Sequence, residues 1–253
     1  MPVGTIVHRL ESVPSTNDVA KGLAVQGAAH GTAVVAGEQT RGRGTKGRVW
    51  HSPAGLGLYV SFILRGPGGG AVPFPHLIPL AAGLAAADAV RDAAAVDTRL
   101  KWPNDILHDG KKLGGILAEG VSGAAGGDFV VVGIGLNAGH DVCDFPEDLR
   151  ATSTSIRIAA ARDVSIDALW PALCRSLERW YNVLTRGDRD AVIRTFETRS
   201  AFLPGTAVRI ETSAGTFEAA YRGLDADGRL VVDRRDGAGA AALDAVLKLD
   251  RTA

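Results

Sequence analysis

The amino-acid sequence predicts an α/β protein with a mixed β-sheet flanked by helices, followed by a small C-terminal β-barrel. Before Pro204, strand-like and helix-like segments alternate, which is typical of a mixed α/β domain. After Pro204 the pattern changes to short strands separated by glycine turns. The chain has 253 residues, 46 % hydrophobic and 22 % charged, so it can bury a sizeable core. We therefore expect two domains, residues 1–203 and residues 204–253.

The first half of the chain is predicted to contain a short helix, two strands and a long helix. Residues 17–27 have helical spacing of apolar side chains, and Ser15 is a candidate N-cap. Residues 32–38 and 56–64 are β-branched or aromatic runs of strand length, so the Gly- and Arg-rich residues between them form a loop. Residues 77–87 repeat leucine at helical spacing in an Ala-rich background, which indicates a buried helix.

The second half is predicted to start with a strand, a loop at residues 103–112, a strand, a Gly-rich turn and another strand, ending near Asn137. Two amphipathic helices follow, with Asp167 and Asp188 as N-cap candidates. Four short strands are expected after Pro204, with a low-complexity segment at residues 237–242.

Charge and cysteine content exclude several classes of protein. The 28 Lys and Arg residues balance the 28 Asp and Glu residues, which argues against a generally basic nucleic-acid-binding surface. Cys143 and Cys174 provide neither a disulfide framework nor zinc-ligand spacing. The N-terminus has no targeting signal, and the longest apolar region contains Asp88 and Arg91. We expect a cytoplasmic protein with reduced thiols and no membrane segment.

The densest candidate site is residues 41–48, RGRGTKGR, with four cations and three glycines. Glycines allow close backbone approach, and Arg binds phosphate or carboxylate in a bidentate manner, so this loop suits a polyphosphate. A solvated basic hairpin loop is the alternative. The GxGxxG match lacks the helix that a dinucleotide-binding turn requires, and a Walker loop needs Gly-Lys followed by Ser or Thr.

A second candidate cluster, KWPNDILHDGKKLGGILAEG, begins at Lys101 and ends at Gly120. Lysines at strand ends beside Asp105 suit a carboxylate and a phosphate that must approach each other despite like charge. Lys112 is the better candidate, whereas we expect Lys111 to be a solvated turn residue and Trp102 to lie in the core.

Other signals are weaker. The GIGLN segment at residues 133–137 ends an apolar strand with glycines, which offer bare backbone to a ligand. The STN segment at residues 15–17 is first a helix cap. The six histidines are scattered without metal-ligand or triad spacing, so none is assigned such a role.

Taken together, STN, EQTRGRGTKGRVW (residues 38–50), KWPNDILHDGKKLGGILAE (residues 101–119) and GIGLN resemble the biotin protein ligases over nearly the whole chain. The resemblance implies a catalytic domain of the class II aminoacyl-tRNA synthetase-like, biotin–lipoate ligase fold and a C-terminal SH3-like barrel. It also implies a two-step reaction. Biotin and ATP form biotinyl-5′-AMP, and a lysine of a biotin carboxyl carrier protein domain then takes the biotinyl group.

The resemblance also implies roles for individual residues. Residues resembling the biotin site are Ser15, Thr16, Asn17, Gln39, Gly42, Arg43, Gly44, Thr45, Lys112, Gly115, Leu117 and Gly133. Residues resembling the ATP site are Arg43, Arg48, Trp50, Lys101, Asn104, Lys112 and Asn137. The expected catalytic residues are Arg43, Lys112, Asp105 and Lys101. Mg²⁺ is expected to arrive with ATP, with Asp105 as a candidate partner for the metal or a proton, and no separate protein metal site is expected.

Two departures from the family pattern carry expectations. Thr45 stands where the family usually has a further Arg, and Lys46 lacks the bidentate fork, so we expect weaker retention of the adenylate. The strand-rich domain starts almost at residue 1, so we expect no N-terminal helix-turn-helix and no nucleic-acid partner. A homodimer through an exposed sheet edge stays open.

Two alternatives to a biotin protein ligase stay open at this point. A lipoate or octanoate ligase or transferase would act on an aliphatic acid, which the STN segment, Gln39 and the KWPND segment argue against. A catalytically inactive biotin or adenylate sensor, or a binding module, is disfavoured by Arg43 and Lys112.

Overall fold

A seven-stranded mixed sheet forms the centre of the computed structural model, which describes residues 1–123, 127–234, 239–243 and 246–252. The strand order is β1-β2-β3-β7-β6-β5-β4, with β1 parallel to β2 and all other neighbours antiparallel. The strands are β1 (Val7–Val13), β2 (Ala33–Gln39), β3 (Gly57–Leu64), β4 (Arg99–Lys101), β5 (Asp105–His108), β6 (Lys111–Val121) and β7 (Phe129–Asn137). The predicted mixed sheet is therefore confirmed.

Helices cover both faces of this sheet. They are α1 (Thr16–Val25), α2 (Ile78–Ala94), α3 (Ile156–Ala160), α4 (Ile166–Thr185) and α5 (Arg189–Thr198). Because side chains alternate along a strand, Phe62 and Val132 face the large core that contains α2 and α4, whereas Ile63 and Val131 face α1. Within the described ranges, no helix has the length and apolar character needed to cross a lipid bilayer.

A buried carboxylate fixes the helical layer. Asp88 of α2 is completely buried and lies 2.8 Å from both Arg199 Nη1 and Trp180 Nε1, while Arg91 and Arg179 also pair with it. Burial alone would raise the pKa of Asp88, but hydrogen bonds from Trp180 and Arg199 hold it below its usual value. The carboxylate thus ties α2 to α4 and to the end of α5.

The C-terminal part forms a second, antiparallel sheet in the order β11-β10-β9-β8-β12. Its strands are β8 (Ala207–Thr212), β9 (Gly215–Leu224), β10 (Leu230–Arg234), β11 (Gly239–Leu243) and β12 (Lys248–Arg251). Among the described residues β11 and β12 are not paired, so this sheet is open and the expected SH3-like closure is not confirmed. Trp102, which is in the core as predicted, donates from Nε1 to the Gly228 carbonyl at 2.9 Å and joins the two sheets.

Four elements were missed by the sequence pattern. They are β1, β5 within the predicted loop at residues 103–112, the short helix α3, and β11 within the predicted low-complexity segment. Strand β1 lacks alternation because residues 8–12 are all exposed at the edge of the sheet. Parts of the low-complexity segment, of the Gly-rich turn before β7 and of the last predicted strand lie outside the described residues.

Of the two predicted N-caps of the C-terminal helices, one is wrong and one is confirmed. The N-cap of α4 is Ser165, whose Oγ accepts from the Asp167 amide at 3.2 Å, so the predicted N-cap Asp167 was wrong by two residues. The N-cap of α5 is Asp188, as predicted, and its carboxylate accepts from the Ala191 amide at 3.1 Å.

Candidate active site

A cavity of about 240 Å³ opens on the face of the main sheet that carries α1. Near the helix, β7 places Val131 on this face, but two and four positions further along it places Gly133 and Gly135 there. Because glycine has no side chain, Asn17 and Trp50 can lie directly on the strand at these two positions. The sequence of β7 therefore allows two of the side chains that line the cavity to pack where α1 begins.

The cavity brings together most of the predicted site residues. Those that line it are Ser15, Thr16, Asn17, Gln39, Arg43, Gly44, Thr45, Arg48, Trp50, Asn104, Lys112, Gly115, Leu117, Gly133 and Asn137. Arg43 and Lys112, which come from separate stretches of the chain, face the same space. Gly42, Lys101 and Asp105 are not among the lining residues.

Trp50 covers a floor made of paired glycines. Gly115 of β6 and Gly135 of β7 are cross-strand neighbours. A β-carbon on Gly135 would come within 2.5 Å of Trp50 Nε1, and one on Gly115 within 3.4 Å of Trp50 Cζ3. The indole therefore lies directly on the backbone of both strands. Its Nε1 is buried and has no hydrogen-bond partner in the described part of the chain.

A polar network forms the end of the cavity at α1. Gln39 Oε1 accepts from the Thr16 amide at 2.9 Å, and Gln39 Nε2 donates to Ser52 Oγ at 3.0 Å. Ser15 occupies the N-cap position as predicted, but its side chain makes no capping hydrogen bond. The Gln39 side chain therefore caps α1, which leaves the Ser15 hydroxyl available to the cavity.

Arg43 is held by two carboxylates. Its Nη2 lies 2.6 Å from Asp18 Oδ1 and 2.9 Å from Glu119 Oε2. Glu119 also accepts from Lys21 Nζ at 2.6 Å and from Asn17 Nδ2 at 2.7 Å. Burial alone would raise the pKa of Glu119, but the hydrogen bonds from Lys21 and Asn17 lower it. Glu119, at the end of the second motif, thus connects α1 to the Arg-rich loop.

Lys112 is paired with Asp105 and lies near the indole. Its Nζ is 2.6 Å from Asp105 Oδ1 and 5.4 Å from the centre of the Trp50 ring. Asp105 therefore contacts the site through Lys112. Lys111 is exposed, as expected, but it is the first residue of β6 and does not lie in a turn.

The remaining predicted residues have structural contacts. Lys101 Nζ pairs with Asp250 Oδ1 of the second sheet at 3.0 Å. Asn104 Nδ2 donates to the Ile116 carbonyl at 2.9 Å, and Asn137 Nδ2 donates to the Thr154 carbonyl at 3.0 Å. A β-carbon on Gly42 would come within 2.4 Å of the Trp50 carbonyl, so Gly42 shapes the loop from behind the cavity.

The Arg-rich loop also contacts the second sheet. Thr45 lines the cavity, whereas Lys46 is exposed, has a φ of 60° and is not among the lining residues. The Arg48 guanidinium donates to the carbonyl of Leu247. The loop is thus supported from the C-terminal part of the chain.

Several lining residues carried no signal in the sequence. Phe145, Leu149 and Ser153 come from the segment after β7, and His51 and Tyr59 lie next to a motif residue or within a strand. Gly135 of the GIGLN segment, which carried only a weak signal, also lines the cavity. Behind Phe145, His140 is completely buried and stacks on the Phe145 ring at 4.8 Å. Burial, reinforced by the neighbouring His51, lowers the pKa of His140 to about 4.

The chain was also compared with known proteins. Residues 10–137 match the model of the "Biotin/lipoate A/B protein ligase family". A "Bifunctional ligase/repressor BirA" of Bacillus subtilis is 37 % identical over 88 % of this chain and 68 % of its own length. A "Biotin--[acetyl-CoA-carboxylase] ligase" of Mycobacterium tuberculosis is 34 % identical over 80 % of this chain and 73 % of its own length.

A solved structure shows the same architecture. The biotin protein ligase from Aquifex aeolicus in complex with biotin and ATP superposes with a TM-score of 0.82 at 25 % identity. The match covers 98 % of this chain and 100 % of that one.

Proposed function

Because the chain belongs to the biotin/lipoate A/B protein ligase family, we propose that it activates biotin with ATP and transfers it to a carrier protein. In the first step a biotin carboxylate oxygen attacks the α-phosphorus of ATP. The bond between the α-phosphorus and the bridging oxygen breaks, and pyrophosphate leaves. In the second step the amine of an acceptor lysine attacks the acyl carbon of biotinyl-5′-AMP, loses a proton and displaces AMP.

The observation that carries this proposal is the arrangement of neutral polar groups and cations along one cavity. Neutral hydrogen-bonding groups, Thr16, Asn17 and Gln39, stand at the end next to α1, which suits the uncharged ring of biotin. Arg43, which pairs with Asp18 and Glu119, lines the space beside this end, and Lys112 lines it next to Gly115 and Trp50. Glycines of β6 and β7 underlie Asn17 and Trp50, so the row of glycines runs from the neutral groups towards Lys112. A molecule with a neutral polar head and a distant carboxylate fits this order of groups.

Arg43 and Lys112 have the chemistry needed to bring two anions together. A carboxylate and a phosphate repel each other, and preorganised cations stabilise the charge that develops as they react. Both cations have carboxylate partners, Asp18 and Glu119 for Arg43 and Asp105 for Lys112. These carboxylates hold the cations in place before the substrates arrive, so the site needs little reorganisation.

Mg²⁺ fits this site as a companion of ATP. Within the described residues no three Cys, His, Asp or Glu side chains form a metal cluster, and the carboxylate nearest Lys112 is Asp105. Mg²⁺ is usually bound by one or two carboxylates together with substrate phosphates. Asp105 is the proposed partner of the metal or of a proton, and because it pairs with Lys112 and does not line the cavity, this role would require the pair to separate when ATP binds. When bound, the metal would shield the charge of the phosphates.

The C-terminal sheet is proposed to support the site. We propose that residues 204–253 form a separate domain and that this domain is an SH3-like barrel. The Arg48–Leu247 and Lys101–Asp250 contacts support a structural role for it, because both reach motif residues. The proposed partner is the biotin carboxyl carrier domain of a carboxylase. A cytoplasmic location is proposed, and sedimentation velocity decides whether the chain forms a homodimer through an exposed sheet edge such as β1.

Pyrophosphate release with different acids tests the reaction. We expect release that depends on biotin, with little release when lipoate or no acid is added. A carrier domain incubated with the products should then gain the mass of one biotinyl group on a single lysine. Stronger release with lipoate would indicate an enzyme for aliphatic acids, and biotin binding without release would indicate a sensor. Either result would contradict the proposal.

A further inference from the structure

Ser61 lies directly beneath the polar end of the cavity. It is completely buried on β3, where its cross-strand neighbour is Gly133 of β7. Because β3 alternates, Ser61 points to the same face as Ile63, which packs under α1. The Ser61 hydroxyl is therefore placed below the first turn of α1, although no sequence motif includes it.

The hydroxyl joins two residues of the first turn. Ser61 Oγ lies 2.6 Å from Asn17 Oδ1 and 2.7 Å from Thr16 Oγ1. A serine hydroxyl has one proton, and the oxygen of an amide can only accept. The Ser61 proton is therefore donated to Asn17, and the contact with Thr16 uses the threonine's own proton.

The orientation of the Asn17 amide is fixed from both sides. Asn17 Nδ2 donates to Glu119 Oε2 at 2.7 Å, and an ionised carboxylate can only accept. The amide nitrogen therefore faces Glu119 and the amide oxygen faces Ser61. A side chain on β7 could not replace Ser61 in this contact, because a β-carbon on Gly133 would come within 2.3 Å of Asn17 Oδ1.

This arrangement determines what Thr16 and Asn17 offer to a ligand. The Asn17 amide donates to Glu119 and Leu117, and the single hydroxyl proton of Thr16 is directed at Ser61 at 2.7 Å, with Gln39 Oε1 farther away at 3.1 Å. Oxygen lone pairs therefore remain for the cavity. Lone pairs match the two N–H groups of a cyclic urea, and a site built for such donors rejects an acid without them.

We propose that Ser61 is a positioning residue that sets the hydrogen-bond polarity of Thr16 and Asn17, and thereby selects the cyclic urea of biotin. The inference rests on the proposed function, because it assigns a determinant of biotin binding. Ser61 has no contact with the cavity itself. It acts through the two side chains that it orients.

Steady-state kinetics of Ser61→Ala test this role. Loss of one buried hydrogen bond corresponds to about a tenfold effect. We expect KM for biotin to rise about tenfold while kcat and KM for ATP stay within twofold of the wild type. A purely structural defect would change both KM values or lower kcat. Ser61→Cys, which keeps the shape and donates weakly, should give an intermediate KM for biotin.

Ser200→Ala is the matched control. Ser200 is also buried and hydrogen-bonded, to Tyr221 and the Phe202 amide, but it lies outside the cavity. It should lose comparable thermal stability without a change in KM for biotin. An unchanged KM for biotin in Ser61→Ala overturns the inference. If Ser61→Ala does not fold, an unchanged KM in Ser61→Cys overturns it instead. Absence of biotin-dependent turnover in the wild type would contradict the proposed function, which is a separate outcome.

Discussion

Lowering the pH should destabilise the folded protein through His140. This histidine is completely buried against Phe145, and burial lowers its pKa to about 4 from the ordinary 6.5. Between these two values the unfolded chain binds a proton that the folded chain does not, so the free energy of unfolding falls as the pH falls. The difference of roughly 2.5 units, at 1.36 kcal/mol each, corresponds to about 3 kcal/mol below pH 4.

Urea unfolding at several pH values measures this effect. Between pH 7 and pH 5, His140 should contribute a loss of about 2 kcal/mol, on top of the titration of other groups. In His140→Leu this contribution disappears, so the stability of the variant should decline less steeply between the same pH values. His8→Asn, which removes an exposed histidine, is the matched control. An equally steep decline in His140→Leu and the wild type would refute the reasoning.

Three further predictions concern the site. Lys112→Ala should lower biotin-dependent pyrophosphate release by roughly 10²–10³-fold while the melting temperature is retained. The control Lys111→Ala, at an exposed position, should retain full release. Full activity of the Lys112→Ala variant would exclude Lys112 from the site. Gly135→Ala should displace the indole that covers it and raise KM for ATP by about tenfold, while Gly120→Ala, with nothing within 4 Å of the new β-carbon, serves as control. Equal kinetics in the two alanine variants would contradict the glycine floor. Thr45→Arg should slow escape of biotinyl-5′-AMP, measured as adenylate passing through an ultrafiltration membrane, and unchanged escape would contradict the role assigned to that position.

The sequence predicted the elements that consist of a buried apolar run or of apolar residues at helical spacing. Strands β2, β3 and β7 are apolar runs of strand length, and helices α2, α4 and α5 repeat apolar residues at helical spacing. The predicted segments overlap these elements, although α2 continues to Ala94, beyond the predicted residues 77–87. Edge strand β1 could not be found this way, because its exposed residues have no pattern to show. Strand β5 was hidden because Pro103 and the turn at Asp109 and Gly110 resemble a loop.

The site residues that the sequence predicted are likewise those that belong to a recognisable local pattern. Residues in dense local motifs, such as Arg43 and Lys112, were predicted to converge, and they do line one cavity. Phe145 and Leu149 lie in the segment after β7, whose position depends on long-range packing, so nothing local marks them. Ser61 was missed because one serine in an apolar strand is an ordinary observation. Its significance depends on Gly133 and α1, which become its neighbours only in the folded sheet.

The position of Trp50 makes it an intrinsic fluorescence probe of the cavity. Of the four tryptophans, Trp50 lines the cavity, whereas the indole N–H groups of Trp102 and Trp180 are engaged by Gly228 and Asp88, and Trp170 stacks on Phe62. Indole emission responds to nearby charge, and the Lys112 ammonium stands 5.4 Å from the Trp50 ring. A ligand that draws this ammonium away changes the fluorescence of one identifiable side chain, so occupancy can be followed in real time without a dye.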